Sequence, residues 1–359
     1  MLFTAHTIPY GSTRQFSKIV LDYLDGSHVL KPFYTAPPTI EATAASIKQK
    51  EAQPVDRAAL VQVLKDQYAS VEKTQMVSEH IDALLQPQTF TVCTAHQPNL
   101  FTGPLYFIFK ILHTIKLAQT LQQQLSQHRF VPVFYMGSED ADKEELAHTY
   151  LQGKKYEWQT AQTGAVGRMI LDKEVTALLT EMSGQLLVQP HGKEVVGLLK
   201  SCYTEGKTVQ QATFEIVNNL FGRWGLLVLI ADHPELKRRM IPVFEEDLFA
   251  QKPSQVVEAT VGELGKHYNV QANPREINLF YLSDTLRERI VKRDDHFAVN
   301  NTTIRFTEAE LKAELHQHPE RFSPNVILRG LYQETILPNV AFIGGGGGLA
   351  YRVALKDLF

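Results

Sequence analysis

The apolar residues of this chain alternate between two patterns, and the alternation predicts an α/β fold. Phe90 to Ala95 is a short apolar run of strand length. A polar loop follows, and then Leu105, Ile108, Phe109 and Leu112 recur at helical spacing. Phe130 to Met136 is a second apolar run, and the helix of about 20 residues between the two suits a right-handed parallel crossover. Further on, Thr208 and Gln211 make a capping-box pattern ahead of Ala212, Ile216, Val217 and Leu220. Gly225 then leads into Leu226 to Ala231, the most strand-like run in the chain. Val340 to Ile343 gives one more short buried strand, the glycines Gly344 to Gly348 a turn, and Leu349 to Phe359 the start of a helix that the chain end cuts short. These strands and crossovers predict a doubly wound, mostly parallel sheet.

The remaining segments fit around that sheet. Residues 1–90 hold helix-like stretches at Ser12 to Tyr23 and Arg57 to Leu85, with a proline-containing piece from Lys31 to Thr39 that should run extended. They form an N-terminal helical segment packed on a core of residues 91–359. An insertion is expected at about 151–207, with strand-like Tyr156 to Thr160 and Arg168 to Leu171. Helices are expected up to Ala250 and from Ser254 to Tyr268. A second insertion at about 269–322 holds a hairpin region from Asn278 to Phe306 and a helix capped by Thr307 and Glu310.

Composition narrows the function. The chain has 359 residues, and its 36 basic and 39 acidic side chains leave a formal charge of -3, so no bulk attraction to nucleic acid is expected. Two cysteines, Cys93 and Cys202, are too few for a disulfide framework or a four-thiolate zinc site. No run approaches the roughly 18 apolar residues of a membrane span, and the first residues lack a secretory apolar stretch, which together predict a cytoplasmic protein. His148, His233 and His267 are scattered without metal-ligand spacing, so no zinc is predicted.

Three segments at strand ends carry candidate chemistry. The first is T-A-H-Q-P-N-L-F-T-G-P-L-Y, Thr94 to Tyr106, placed where open α/β sheets bind ligands. His96 is a candidate for stabilising transition-state charge, Gln97, Asn99 and Thr102 for hydrogen bonds to a ribose or phosphate, and Gly103 for a close backbone approach at a helix start. The alternative is that Pro98 and Pro104 shape a turn while His96 and Asn99 satisfy backbone groups. The second is M-G-S-E-D-A-D-K-E-E-L-A-H, Met136 to His148. Glu139, Asp140 and Asp142 suit an ammonium, a sugar hydroxyl or a magnesium ion on nucleotide phosphates, whereas Glu144 and Glu145 read as a solvated first turn. The third is the glycine run, in which Gly344, Gly345, Gly346 and Gly347 would cradle a phosphate or carboxylate at a helix N-terminus or else make an empty turn. Just before it, S-P-N-V-I-L-R-G-L-Y-Q-E supplies Asn325, Arg329, Gln333 and Glu334. On a helix, Arg329 and Gln333 share a face, where the guanidinium suits a carboxylate or phosphate, or both are buried polar links. Asp232 and His233, after the strongest strand, are lesser candidates with a structural role favoured.

These segments in fixed order, H-Q-P-N-L-F-T-G-P-L-Y, P-V-F-Y-M-G-S-E-D, F-S-P-N-V with Y-Q-E, and L-P-N-V-A-F-I-G-G, resemble the cysteine-adding BshC family of bacillithiol biosynthesis from about Thr91 through Phe359. The resemblance implies a Rossmann-like core with connecting-peptide insertions and a ligase that adds L-cysteine to glucosaminyl malate. ATP would activate the cysteine carboxylate, with cysteinyl-adenylate formation suggested by similarity to class I synthetase-like cores. On that reading His96 and Gly103 face phosphate charge, Glu139 or Asp140 holds the cysteine ammonium or the acceptor amine, and Arg329 faces a carboxylate such as that of the malyl group. Gly348, Arg352 and Ala141 depart from the residues the family leads one to expect. The family's dimerising coiled coil would begin about where this sequence stops, so a monomer or weak dimer is expected. A sugar-nucleotide or nucleotidyl transferase, and a catalytically silent nucleotide-binding protein, are the rival readings.

Overall fold

The computed structural model describes Thr4 and residues 6–359. Its strands are β1 (Thr89–His96), β2 (Arg129–Met136), β3 (His148–Leu151), β4 (Lys154–Glu157), β5 (Leu227–Ile230), β6 (Leu279–Leu282), β7 (Arg287–Lys292), β8 (Phe297–Val299), β9 (Arg305–Phe306), β10 (Phe322–Pro324) and β11 (Asn339–Ile343). The four apolar runs expected as core strands form one all-parallel sheet in the order β11-β1-β2-β5. The chain steps from β1 through β2 to β5 in one direction and returns with β11 on the far side of β1. This is the Rossmann-like arrangement, and its reversal puts the topological switch point between β1 and β11.

Helices cover both faces of the sheet. Phe107, on the helix Tyr106–Gln124, meets Phe134 edge-on at 5.2 Å, while Tyr332, on the helix Val326–Ile336, meets Tyr135 at 6.4 Å. Adjacent residues of a strand point to opposite faces, so these two helices lie on opposite sides. Burial on both sides is why β1 and β2 read as continuous apolar runs. The stripe expected to bury the first helix is corrected here. Leu105 and Phe109 are 67% and 63% exposed, and Leu112 is exposed too. The core face carries Phe107, Ile111, Ile115, Ala118 and Leu121 instead. The start of this helix is apolar nearly all round, so helical spacing alone does not choose a face.

The N-terminal residues pack on the sheet as expected, but in shorter pieces. The first expected helix breaks at Arg14, whose φ is 56°, into Tyr10–Thr13 and Lys18–Leu24. The second divides into Arg57–Gln67 and Gln75–Ala83. Within the piece expected to be extended, Lys31–Phe33 forms a 3-10 turn. A helix at Ile40–Glu51 was not legible, because only Ile47 and the partly buried Ile40 bring apolar side chains to the core around Phe90 and Val92. Gln67 closes the free edge of β5: its amide nitrogen donates to the Ile230 carbonyl at 2.7 Å, and its oxygen accepts from the Ile230 amide at 3.1 Å. A side chain thus replaces a neighbouring strand at an edge that would otherwise invite pairing.

The region expected as the first insertion holds β4 and the helices Lys173–Leu186 and Gly192–Cys202. β3 and β4 pair as a hairpin. The strand expected at Arg168 to Leu171 is a 3-10 turn, Val166–Arg168, followed by one bridge from Ile170 to Thr208. The capping boxes at Thr208 and Thr307 are both made. A π-helical turn at Glu246–Ala250 precedes the helix Lys252–Leu264. The expected hairpin region folds into an antiparallel sheet in the order β10-β6-β7-β8-β9. No helix of the described residues is long and apolar enough to cross a membrane.

Candidate active site

The loop after β1 lies at the switch point. His96 is buried there, its Nδ1 2.9 Å from the Gln97 carbonyl and its Nε2 2.9 Å from the Tyr106 hydroxyl. A carbonyl only accepts, so Nδ1 carries the proton and Nε2 accepts from Tyr106. Burial lowers the pKa of His96 to about 4, so the ring is a neutral acceptor at physiological pH and its charge does not assist catalysis unless a ligand alters this. Beyond it, Phe101, Thr102 and Gly103 take positive φ values of 54°, 76° and 65° in succession. Three left-handed residues in a row are costly unless held. The Tyr203 hydroxyl holds them by accepting from the Phe101 amide at 3.1 Å. Asn99 is 5% exposed and its Oδ1 has no partner.

Lys110, which the sequence reading passed over, sits one turn into the helix that follows this loop. Its Nζ donates to the Ala95 carbonyl at 2.5 Å. The Gly137 amide donates to the His96 carbonyl, which therefore faces β2. Carbonyls alternate along a strand, so that of Ala95 faces β11. Pairing with β11 has already ended at Thr94 and Ile343, which puts the Lys110 ammonium in the crevice between β1 and the glycine turn. Among the described residues no carboxylate makes a salt bridge to it, and burial pushes its pKa below the usual lysine range. Across the crevice, Gly345 is the N-cap of the helix Gly346–Ala354. A Cβ at Gly345, Gly347 or Gly348 would point into open space. Gly344 lies against Phe342, and Gly346 against Val20.

The acidic loop after β2 forms a second cluster. Asp140 accepts from both terminal nitrogens of Arg329 at 3.3 Å and from the Gln97 amide at 3.4 Å. Burial opposes ionisation of Asp140, but Arg329 and Arg287 bring its pKa below the usual range. Glu139 forms an ion pair at 2.5 Å with Lys237, whose side chain is 0% exposed. Lys237 also meets Asp232 at 3.1 Å, and Asp232 accepts from Arg168 at 2.6 and 2.9 Å. Against the effect of burial, Lys237 and Arg168 hold Asp232 down to about 2. The role favoured for Asp232 was structural, and this network gives it one. Arg287, on β7, was also missed: it comes from the inserted antiparallel sheet, and nothing in its surrounding sequence resembles a strand-end loop. Ser138, beside Glu139, is 1% exposed with an unpartnered hydroxyl.

The structure brings His96, Gln97, Asn99, Asp140 and Arg329 together at the carboxyl ends of β1 and β2, and gives other candidates local roles. Asp142 accepts from the Glu145 amide and caps a short turn. Asn325 caps the helix carrying Arg329 and donates to Asn278. Gln333 is buried and donates to Glu334 at 3.0 Å. Glu334 also accepts from Asn339 and pairs with Arg352. No three His, Cys, Asp or Glu residues among those described converge to hold a metal ion. Glu139, Asp140 and Asp142 are each taken by a cation or an amide, so they do not make a ready magnesium cage.

A family profile described as the N-terminal Rossmann-like domain of the bacillithiol biosynthesis protein BshC matches residues 3–359. A protein named as a candidate cysteine ligase, BshC, from Cytophaga hutchinsonii is 40% identical over 358 residues, which cover 99% of this chain and 66% of that protein. Its namesakes from Flavobacterium johnsoniae and Christiangramia forsetii are each 42% identical over 98% of this chain and 66% of their own length. The chain thus spans about 66% of the length of these relatives.

Proposed function

Because the chain belongs to the BshC family of bacillithiol biosynthesis, we propose that it serves an ATP-dependent ligase joining the carboxylate of L-cysteine to the amine of glucosaminyl malate. The observation that carries this is the pair of adjoining clusters at one sheet edge. One, in the switch-point crevice, has an uncompensated ammonium at Lys110 and an open glycine turn. The other has arginines beside Asp140.

A cysteine carboxylate is anionic and a poor electrophile at neutral pH, and bound ATP would supply its activation. The crevice suits such a ligand: Lys110 lacks an acidic partner, and open space faces the helix N-terminus at Gly345. Lys110 and the amides of Gly346 and Gly347 would hold phosphate oxygens. His96 accepts from Tyr106 and so fixes that hydroxyl oxygen at the crevice mouth. Asp140 would take the ammonium of cysteine or the acceptor amine, and Arg329 a carboxylate. Glu139, paired to Lys237, positions the loop that carries Asp140. Magnesium, where it takes part, would be held by the nucleotide phosphates rather than by these carboxylates.

Incubation of the protein with ATP, cysteine and glucosaminyl malate, followed by mass spectrometry, tests the reading. The expected outcome is a product heavier than glucosaminyl malate by one cysteinyl residue, formed only when all three are present. ATP consumption independent of cysteine, or turnover of a sugar nucleotide, would replace it with one of the rival transferase readings.

A further inference from the structure

Arg287 is a half-buried cation without an acidic partner. Its Nε donates to the Ser323 hydroxyl at 3.0 Å and one terminal nitrogen to the Pro324 carbonyl at 3.4 Å, both on β10. The guanidinium stacks 4.0 Å from the centre of the Phe280 ring. None of its contacts is a carboxylate within salt-bridge distance. Removing a cation from water without a paired counter-charge is costly, and of its charged neighbours Arg329 acts most strongly and opposes it, ahead of the support from Glu139 and Asp140. Arg329 begins one turn after β10, and burial together with the repulsion of Arg329 lowers the Arg287 pKa to about 10. Ser323, Pro324 and Asn325 thus tie Arg287 of β7 to the start of the helix that carries Arg329.

Charge decides what belongs there. The cations Arg168, Lys237, Arg287 and Arg329 surround the carboxylates Glu139, Asp140 and Asp232, an excess of one positive charge. The exposed Asp284, 3.6 Å from Arg168, is screened by solvent. A single carboxylate would neutralise the excess. A phosphate dianion would put two charges on one centre beside Asp140, whereas a dicarboxylate such as malate puts only one of its carboxylates there. Arg287 keeps one terminal nitrogen without a partner, and Arg329, which gives both of its terminal nitrogens to Asp140, retains further N–H groups, so together they can meet a carboxylate at two points.

We propose that Arg287 and Arg329 form a two-arginine subsite for a carboxylate of the acceptor substrate, with Arg287 as a binding residue that the inserted sheet contributes. The inference rests on the ligase reading for the identity of that acceptor, and deepens it by saying which residues select it. The subsite lies on the β2 side of the site, apart from the Lys110 crevice.

Calorimetric titration of L-malate, and of inorganic phosphate at matched ionic strength, into the wild-type protein and Arg287→Met tests the proposal. Malate should bind the wild type and bind the variant roughly 30-fold or more weakly, as for loss of one partner of a desolvated charge pair. Phosphate should not compete. The melting temperature of Arg287→Met should hold or rise, since a lone cation is removed. Should that variant fail to fold, Arg287→Lys keeps the charge and loses the fork, and is expected to bind malate about tenfold more weakly. Equal malate affinity in the variants, no malate binding to the wild type, or phosphate binding in an Arg287-dependent way would each overturn the subsite. Normal ligation with malate affinity indifferent to Arg287 would remove the subsite alone. Arg287-dependent malate binding without cysteine-dependent ATP use would keep it and remove the ligase reading.

Discussion

Tyr106 reaches back over the first turn of its helix to donate to His96 Nε2 at 2.9 Å, which joins the strand end of β1 to the mouth of the crevice. Because the ring also donates from Nδ1 to the Gln97 carbonyl, His96 has no proton left to offer a ligand. Its part is to fix Tyr106. His96→Ala should therefore slow ligation by about 100-fold or less, and His96→Gln should recover part of the loss, if ligation is followed at saturating substrates.

The same burial makes stability depend on pH. His96 titrates at about 4 in the folded chain against an ordinary 6.5. Between these values the unfolded state binds more protons, so stability is complete above about 6.5 and falls as pH drops toward 4. The contribution is about 3 kcal/mol at most. Urea denaturation from pH 4 to 7 should show a shallower slope for His96→Gln than for wild type.

Lys237 holds two acids at once. Lys237→Met leaves the buried Glu139 and Asp232 carboxylates without their shared cation, and breaking a buried pair of this kind costs about 3–5 kcal/mol. Equilibrium denaturation should read a loss in that range. A loss under about 1 kcal/mol would mean that water screens the cluster.

Two glycines should respond in opposite senses. Gly103 has φ of 65°, and a Cβ there would lie 2.5 Å from Asn99 Cβ, so Gly103→Ala should destabilise by about 1–3 kcal/mol and disturb Asn99. Gly347 is in the first turn of a helix with nothing within 4 Å of a Cβ. Gly347→Ala should be neutral or stabilise by up to about 1 kcal/mol, while weakening ATP binding if phosphate oxygens sit against that turn. Thermal melts with and without ATP separate the two effects.

The sheet was legible because β1, β2 and β5 are buried on both faces, and because even β11, half-buried at the sheet edge, keeps a short apolar run. Both capping boxes were legible because Thr208 with Gln211 and Thr307 with Glu310 are local. What failed was whatever depends on the third dimension. Leu105 and Phe109 have the spacing of a core stripe, yet face outward because Phe107 and Ile111 fit it as well. The site reading found His96, Asp140 and Arg329, which lie in motifs at strand ends or beside them. It missed Lys110, in an apolar helix, and Arg287, in a hairpin region whose charges all look solvated. Their meaning lies in lacking an acidic partner, which no spacing records.

On these proposals one sheet edge holds two separate anion sites, a nucleotide crevice at Lys110 and a carboxylate subsite at Arg287. Titrating a non-hydrolysable ATP analogue and L-malate into wild type, Lys110→Met and Arg287→Met measures this directly. Lys110→Met should weaken the analogue about tenfold or more and leave malate unchanged, and Arg287→Met should do the reverse. If both ligands weaken together in each variant, or neither weakens in either, the two-site account is wrong.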